Sequence, residues 1–471
     1  MKKNSQKDKM ELQFKISGYD HARLMGHLFC GDDKESVAVA LCGRQRAGGR
    51  ETLIVHELQI IPNEECFSRE YDHLHWPTKI IHPFFLRVSR SDMAIVKIHS
   101  HPGGYNEFSE TDNRSDNEFF QSVFGWSDTD GPHASAVMLP GGEYFGRFFF
   151  PDMSSYPIDR FTIVGETIKV GDLSPVDGNA AFALRTIQAF GQKTYSLLKR
   201  LRIAVIGCSG TGSPLIEQLA RLGVGELVLV DPDRIEHKNL NRIVNATLDD
   251  AEKALYKVHV LKRAIETMGL ETKVTVLPVN LYDNREGLEL VASCDVVFGC
   301  MDSVDGRHLL NQLSAFYLIP YFDLGVKLEA DGLGGISKIC GSVHYLQPGV
   351  SSLITRGVYT IDDLRAAAQL RKNPEEYEAL IKNAYIKNIN VSSPAVISVN
   401  MMVASHAINE FLNRIHGYKA ERPNNYAGSI IDLSENCIVN VDEESYPTDL
   451  YLRKKVGRGD MIPYLEMPDL P

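Results

Sequence analysis

An apolar run at Leu201–Ile206, broken only by Arg202, turns through Gly207-Cys-Ser-Gly-Thr-Gly212 into Ser213-Pro214 and a helical stretch. This strand, glycine turn and helix constrain the chain more than its composition does. The run reads as a buried parallel strand. Ser213 can cap the following helix, and Pro214 suits its first position. Bare amides at such a helix start, together with the helix dipole, favour a phosphate. The glycines stand at 207, 210 and 212, so the G-x-G-x-x-G spacing of dinucleotide sites fails where Ser209 sits. Taken alone, the loop means either nucleotide binding or tight backbone packing.

Helix and strand signals alternate around this point, at Pro214–Leu222, Glu226–Val230, Glu252–Met268, Lys273–Leu277, Asp295–Gly299 and Gly306–Tyr317. The alternation predicts an α/β, doubly wound sheet. A charged helical stretch is expected over 361–385 and an apolar helix, packed on the sheet, over 394–415. Upstream, apolar strands such as Ser36–Leu41 and Thr52–Ile61 predict a separate mixed α/β domain ending near Phe148–Phe150. Residues 151–178 are rich in Pro, Gly, Asp and Ser, with room for a short strand at Phe161–Val164, and place the junction there. A chain of 471 residues holds two or three such cores.

Charge narrows the function classes. A net charge of −11 lacks the basic footprint of a nucleic-acid binder. No apolar run approaches the roughly 18 residues of a membrane span. The charged start has no apolar core after it, so no signal peptide is expected. Eight cysteines are scattered without a C-x-x-C pair, which suits a reducing cytoplasm.

The residues after the glycine loop point to its use. The strand 227–230 ends at Asp231, placed for a ribose hydroxyl. Asp233, Asn239-Leu-Asn-Arg242, Lys257 and Cys300-Met-Asp302 follow. A dehydrogenase has no need of this set, whereas adenylyl transfer does. Arg and Lys neutralise the phosphates of ATP and the leaving pyrophosphate, while a carboxylate holds Mg2+. Singly, each is also an ordinary surface charge. In this order they resemble the ThiF/MoeB/HesA family, the fold of ubiquitin-activating enzymes, over about residues 181–440. The resemblance implies a Rossmann-like domain in which Gly207, Gly210, Gly212, Asp231 and Asp233 bind the nucleotide. It further implies that Asn239, Arg242 and Lys257 contact phosphates, and that Asp302 binds magnesium or the reacting centre. Arg185 matches an arginine that many members lend across a dimer, which implies a homodimer. The stretch Ser392–Asn400 resembles the start of a late helix in that family.

A second constellation lies upstream. His99 and His101, two apart on an extended segment, point to one side and can reach one metal, although H-x-H also occurs as a solvated pair. Asp112 would complete three ligands and leave a fourth position for water, whose pKa zinc lowers towards 7. Ser109-x-x-Asp112 is at the same time a helix N-cap with a carboxylate in the first turn. Glu35, ahead of an apolar strand, is the candidate to take the water's proton. Together Glu35, His99-Ser-His101-Pro102, six residues, and Ser109-Glu-Thr-Asp112 resemble the JAMM/MPN metalloprotease pattern. That resemblance implies zinc on His99, His101 and Asp112, Glu35 as acid and base, and Ser109 steadying the tetrahedral intermediate. Members of that family cut isopeptide or peptide bonds after ubiquitin-like C-termini.

The two resemblances predict a fusion. Residues 1–155 form a JAMM/JAB metalloprotease-like domain, 156–180 a linker, 181–440 a ThiF-type adenylyltransferase and 441–471 a tail. The expected activity is zinc-dependent processing, and ATP- and Mg2+-dependent activation, of a ubiquitin-like or sulfur-carrier-like protein. A conjugating enzyme or a sulfurtransferase would be the next partner. Adenylation of a short peptide, or a scaffold with one inactive half, are the alternatives. The chain departs from many ThiF relatives in lacking two C-x-x-C pairs for a structural zinc. Ser352 also stands near Pro348-Gly349, where a cysteine often follows, so no catalytic cysteine is assigned among Cys208, Cys300 and Cys340.

Overall fold

The computed structural model describes residues 10–127, 129–171, 181–330, 335–382 and 396–460. They fall into two compact units. Among the described residues, the strands of the first unit are β1 (Glu11–Ser17), β2 (Val37–Ala47), β3 (Arg50–Ile60), β4 (Ser68–Arg69), β5 (Leu74–His75), β6 (Ala94–Ser100), β7 (His133–Met138), β8 (Tyr144–Phe149), β9 (Ser155–Pro157), β10 (Arg160–Val164) and β11 (Ile168–Gly171). Nine form one sheet in the order β11-β10-β1-β3-β2-β6-β7-β8-β9, and β4 pairs with β5 alone. Helices α1 (Gly18–Leu28), α2 (His82–Val88) and α3 (Glu110–Trp126) cover it.

Strand β2 shows why this sheet is buried on both faces. Ala38, Ala40 and Cys42 join one core with Phe14, Leu24 and Leu28. Val37, Val39 and Leu41 join the other with Phe85, Phe120 and Val123. Alternate side chains of a strand point to opposite faces, so an unbroken apolar run needs a layer on each side.

The junction lies further along than the sequence suggests. Strand β10 pairs in parallel with β1, so residues 155–171 belong to the sheet rather than to a linker. Short strands joined by tight turns use the same Pro, Gly, Asp and Ser residues as linkers do. Residues 172–180 lie outside the described residues. The expected tail also divides. Gly457 O accepts from Gly43 N at 3.2 Å, and Val456 O accepts from His56 Nδ1 at 2.7 Å, which puts residues 455–460 in the first unit.

The second unit is built on β12 (Arg202–Ile206), β13 (Glu226–Val230), β14 (Lys273–Leu277), β15 (Val296–Gly299), β16 (Tyr321–Ala330), β17 (Ile336–Leu346), β18 (Gly428–Asp432) and β19 (Cys437–Val441), in the order β14-β13-β12-β15-β16-β17-β18-β19. The first five positions are parallel. The expected doubly wound sheet is therefore present, and β17 to β19 extend it antiparallel. Its helices include α4 (Leu184–Arg200), α5 (Gly212–Arg221), α6 (Leu248–Glu252), α7 (Lys257–Met268), α8 (Arg285–Ala292), α9 (Val304–Tyr317), α10 (Ile361–Lys372), α11 (Pro374–Lys382) and α12 (Ile397–His416). Two expected helices are each split. The chain breaks at Ala254, whose φ is 46°, between α6 and α7, and at Asn373 ahead of Pro374 between α10 and α11. Residues 383–385 and 394–395 of the expected helices lie outside the described residues. Among the described residues, no helix is long and apolar enough to cross a membrane.

Candidate functional site

In the first unit, β6 presents His99 at its next-to-last residue and passes His101 into the turn. Ser109 caps α3: its Oγ accepts from Asp112 N at 3.0 Å, and Asp112 Oδ2 accepts from Ser109 N at 2.8 Å and Ser109 Oγ at 2.7 Å. This reciprocal cap orients the Asp112 carboxylate towards the histidines. Asp112 Oδ1 lies 3.0 Å from His99 Nε2, Oδ2 lies 3.3 Å from His101 Nε2, and the two Nε2 atoms are 3.3 Å apart. Two nitrogens about 2.0–2.1 Å from one tetrahedral zinc stand about 3.3 Å from each other. The triangle therefore fits the base of a zinc site. His101 Nδ1 also donates to Tyr105 O at 2.7 Å, which leaves the Nε2 lone pair for a ligand.

The electrostatics of Asp112 and His99 agree with the geometry. Burial opposes ionisation of Asp112, but the neighbouring His101, His99 and Ser109 side chains outweigh it and hold its carboxyl well below the usual range. Burial lowers the pKa of His99, favouring the neutral imidazole that binds metal. Glu35 sits just ahead of β2, its Oε1 3.9 Å from His101 Nε2, and burial pushes its carboxyl up to about 8, with Asp112 adding to the shift. Glu35, His99 and His101 offer ligand atoms within 4.8 Å of one another. At 3.9 Å the Glu35 carboxyl is too far from His101 for a direct hydrogen bond. Ser109→Ala should remove about 1 kcal/mol of capping. The expected result is roughly fivefold faster hydrogen exchange at the Asp112 and Asn113 amides, with no change predicted for α2.

In the second unit a cavity of about 560 Å³ opens at the carboxyl ends of β12, β13 and β15. Gly207 takes a φ of 91°, a region costly for other residues. A Cβ at Gly212 would lie 1.9 Å from Gly207 O, so the loop closes only with glycine there. Asp231 anchors the loop: its Oδ2 accepts from Cys208 N at 2.7 Å and its Oδ1 from Asp233 N at 2.9 Å. Lys257 begins α7, is 6% exposed, and places Nζ 2.6 Å from Asp233 Oδ2 and 3.5 Å from Asp231 Oδ1. Burial raises the Asp231 pKa against the pull of Lys257. Asn239 Oδ1 accepts from Glu236 N at 3.0 Å, and Arg242 Nη1 donates to Lys238 O at 2.9 Å. Asp231, Asp233, Asn239, Arg242, Lys257 and Asp302 all line this one cavity. Two cations, an amide and three carboxylates around a glycine loop have the chemistry to hold a nucleotide polyphosphate.

Comparison with known families then settles the assignment. The model of the ThiF family matches residues 183–440, more than half of the chain. The chain belongs to the ThiF family. The model for prokaryotic homologs of the JAB domain matches residues 20–144, so this ThiF-family protein is a JAB–ThiF fusion. The SAMP-activating enzyme E1 of Haloferax volcanii is 39% identical over 125 residues, covering 25% of this chain and 43% of that protein. Ubiquitin-like modifier-activating enzyme 5 of Drosophila willistoni is 27% identical over 186 residues, covering 37% and 43%. The crystal structure of E. coli MccB with ATP aligns with 20% identity and a TM-score of 0.43 over 58% of this chain and 74% of that one. The ThiF-family chain thus spans less than half the length of the curated relatives it matches.

Several expected roles shift in this ThiF-family protein. Ser213 does not cap α5, because Thr211 holds the cap position and the Ser213 hydroxyl accepts from Val244 N at 3.0 Å instead. Gly207 and Gly210 line the cavity, whereas Gly212 serves the close approach to Gly207. Arg185 is exposed at the start of α4, donates to Gln188 Oε1 at 2.9 Å, and does not line the cavity of its own chain. Cys208 is buried, and burial pushes its thiol and that of Cys300 far up, so neither is an activated nucleophile. Ser352 is buried and donates to Asp449 Oδ2 at 2.7 Å.

The cavity also gathers residues to which sequence reasoning gave no role. Asn400, on α12, accepts from Thr211 Oγ1 at 3.4 Å; it ends the stretch Ser392–Asn400, of which 392–395 lie outside the described residues. Arg307, facing buried Asp323 at 3.3 Å, donates to Leu324 O at 3.3 Å. Nothing in the sequence distinguished Arg307 from any other helical arginine.

Proposed function

We propose that this fusion adenylates the C-terminal carboxylate of a ubiquitin-like or sulfur-carrier-like protein with ATP, and that its JAB unit cleaves bonds made by such C-termini. The convergence of Arg242, Lys257, Asn239 and Asp302 on the glycine-loop cavity carries the first part. The carboxylate oxygen bonds to the α-phosphorus as the bond to pyrophosphate breaks. Lys257 and Arg242 offset the charge that moves onto the leaving pyrophosphate, Asn239 positions a phosphate by hydrogen bonding, and Asp231 holds the loop and the ribose. Asp302 would hold Mg2+, which supplies further positive charge to the phosphates. In the JAB unit His99, His101 and Asp112 would hold zinc, which supplies an acidic water at neutral pH. Glu35 is placed to receive that water's proton, and Ser109 to donate a hydrogen bond near the reacting carbonyl. Exposed Arg185 suits a homodimer in which each chain lends it to the other's cavity. The free cysteines suit the cytoplasm.

The test is ATP–pyrophosphate exchange by the full chain with a candidate ubiquitin-like protein ending in Gly-Gly. Exchange that depends on that protein supports the proposal, and the product then separates conjugation (a thioester) from sulfur transfer (a thiocarboxylate). Exchange with a short peptide alone would replace the ubiquitin-like substrate by a peptide. Exchange with neither would remove the adenylation reading.

A further inference from the structure

Beneath the metal triangle lies a buried ion cluster that the proposed reaction does not use; the inference drawn from it rests on the zinc reading above. Asp116, fully buried, sits one turn after Asp112 on α3. Its Oδ2 accepts from Arg147 Nη2 at 2.7 Å and Nε at 3.2 Å, and its Oδ1 accepts from Ser135 Oγ at 3.1 Å. Lys97, two residues before His99 on β6 and 5% exposed, pairs with the same carboxylate and donates to Ser115 Oγ at 3.3 Å. A spacing of two on a strand and of four on a helix keeps side chains on one face. The Asp116–Lys97 pair therefore repeats the Asp112–His99 pair one step further along the same two elements.

Arg147, on β8, extends the cluster to the other ligand. Its guanidinium lies 3.8 Å over the Phe108 ring, immediately before the Ser109 cap, and donates to Asn113 Oδ1 at 2.6 Å. Phe108 packs edge-on against Phe145 at 5.1 Å, and Phe145 packs against His101 at 5.8 Å. Burying Asp116 and Lys97, with Arg147 half-buried beside them, is a poor route to stability, since apolar side chains of similar volume often serve as well. An apolar contact, however, lets a helix slide on a sheet. Metal–ligand distances tolerate only about 0.2 Å.

We propose that Asp116, with Lys97 and Arg147, is a positioning residue that sets the height and rotation of α3 against β6, so that Asp112 meets both histidines. The full chain is titrated with Zn2+ against a competing chelator, and its Co2+ spectrum recorded, for wild type, Asp116→Asn, and the Lys97→Met, Asp116→Asn double variant. Asp116→Asn is expected to bind Zn2+ about 10–100-fold more weakly. Its Co2+ complex is expected to lose the intense visible bands of a four-coordinate site. The double variant removes one of the cations that the single variant leaves unpaired. Its melting temperature is expected to recover while its Zn2+ affinity stays low. Recovery of both would assign the cluster to folding alone and overturn the proposal. Wild-type affinity and spectrum in Asp116→Asn would overturn it while leaving the zinc reading in place. A wild type that takes up no Zn2+ would overturn both.

Discussion

Lys257→Ala is expected to lower ATP–pyrophosphate exchange by about 10²–10³-fold, the usual loss when one fixed electrostatic donor is removed from a reacting site. The size of the effect distinguishes two roles. As a mere partner of exposed Asp233, Lys257 would contribute at most about 1 kcal/mol, or roughly fivefold. The Lys257 side chain is instead buried at the cavity wall, between Asp231 and Asp233, where charge is screened far less than at the surface. Asp302→Ala should match this loss through the opposite charge, by removing the carboxylate proposed to hold Mg2+ against the phosphates. ATP binding is measured separately from exchange, because a residue that acts on the departing pyrophosphate changes the rate more than the affinity. Exchange at the wild-type level in Asp302→Ala would remove that residue from the reaction.

The His99→Ala, His101→Ala double variant is expected to fall from about one zinc per chain to none, as measured by elemental analysis after dialysis. The two Nε2 atoms, 3.3 Å apart, are the nitrogens proposed to hold the metal. Asp112 and Glu35 would remain, and a purely carboxylate set suits magnesium or calcium better than zinc. Peptidase activity should vanish with the metal, while ATP–pyrophosphate exchange in the other unit should persist. Full zinc occupancy in the double variant would show that the metal, if bound, sits elsewhere.

The parts of both sites that were legible share one property: each is a short-range pattern. His99 and His101 share a face because a strand repeats every two residues. Ser109 and Asp112 meet because a capping box closes within one helical turn, and the structure shows that box. The glycine loop and Asp231 follow their strands directly, and both line the cavity. Ser213 departs from its expected capping role for a related reason. The helix α5 begins two residues earlier than expected, at Gly212, and the hydroxyl accepts from the distant Val244 amide.

Residue identity and local spacing fix which chemical groups are present and how neighbours within a turn or along a strand are oriented. Backbone geometry dictates directions over a few residues whatever the rest of the chain does. Which distant groups meet depends instead on long-range packing. Val37 pairs with His99 across β2 and β6, and this register brings Glu35 to within 3.9 Å of His101. Asn400 and Arg307 reach the glycine-loop cavity from separate helices, and Asp116 reaches Lys97 and Arg147 on two strands. Strand β10 adds to β1, moving the junction past Gly171. These meetings depend on sheet order and register, which follow from the burial of whole faces rather than from any local spacing.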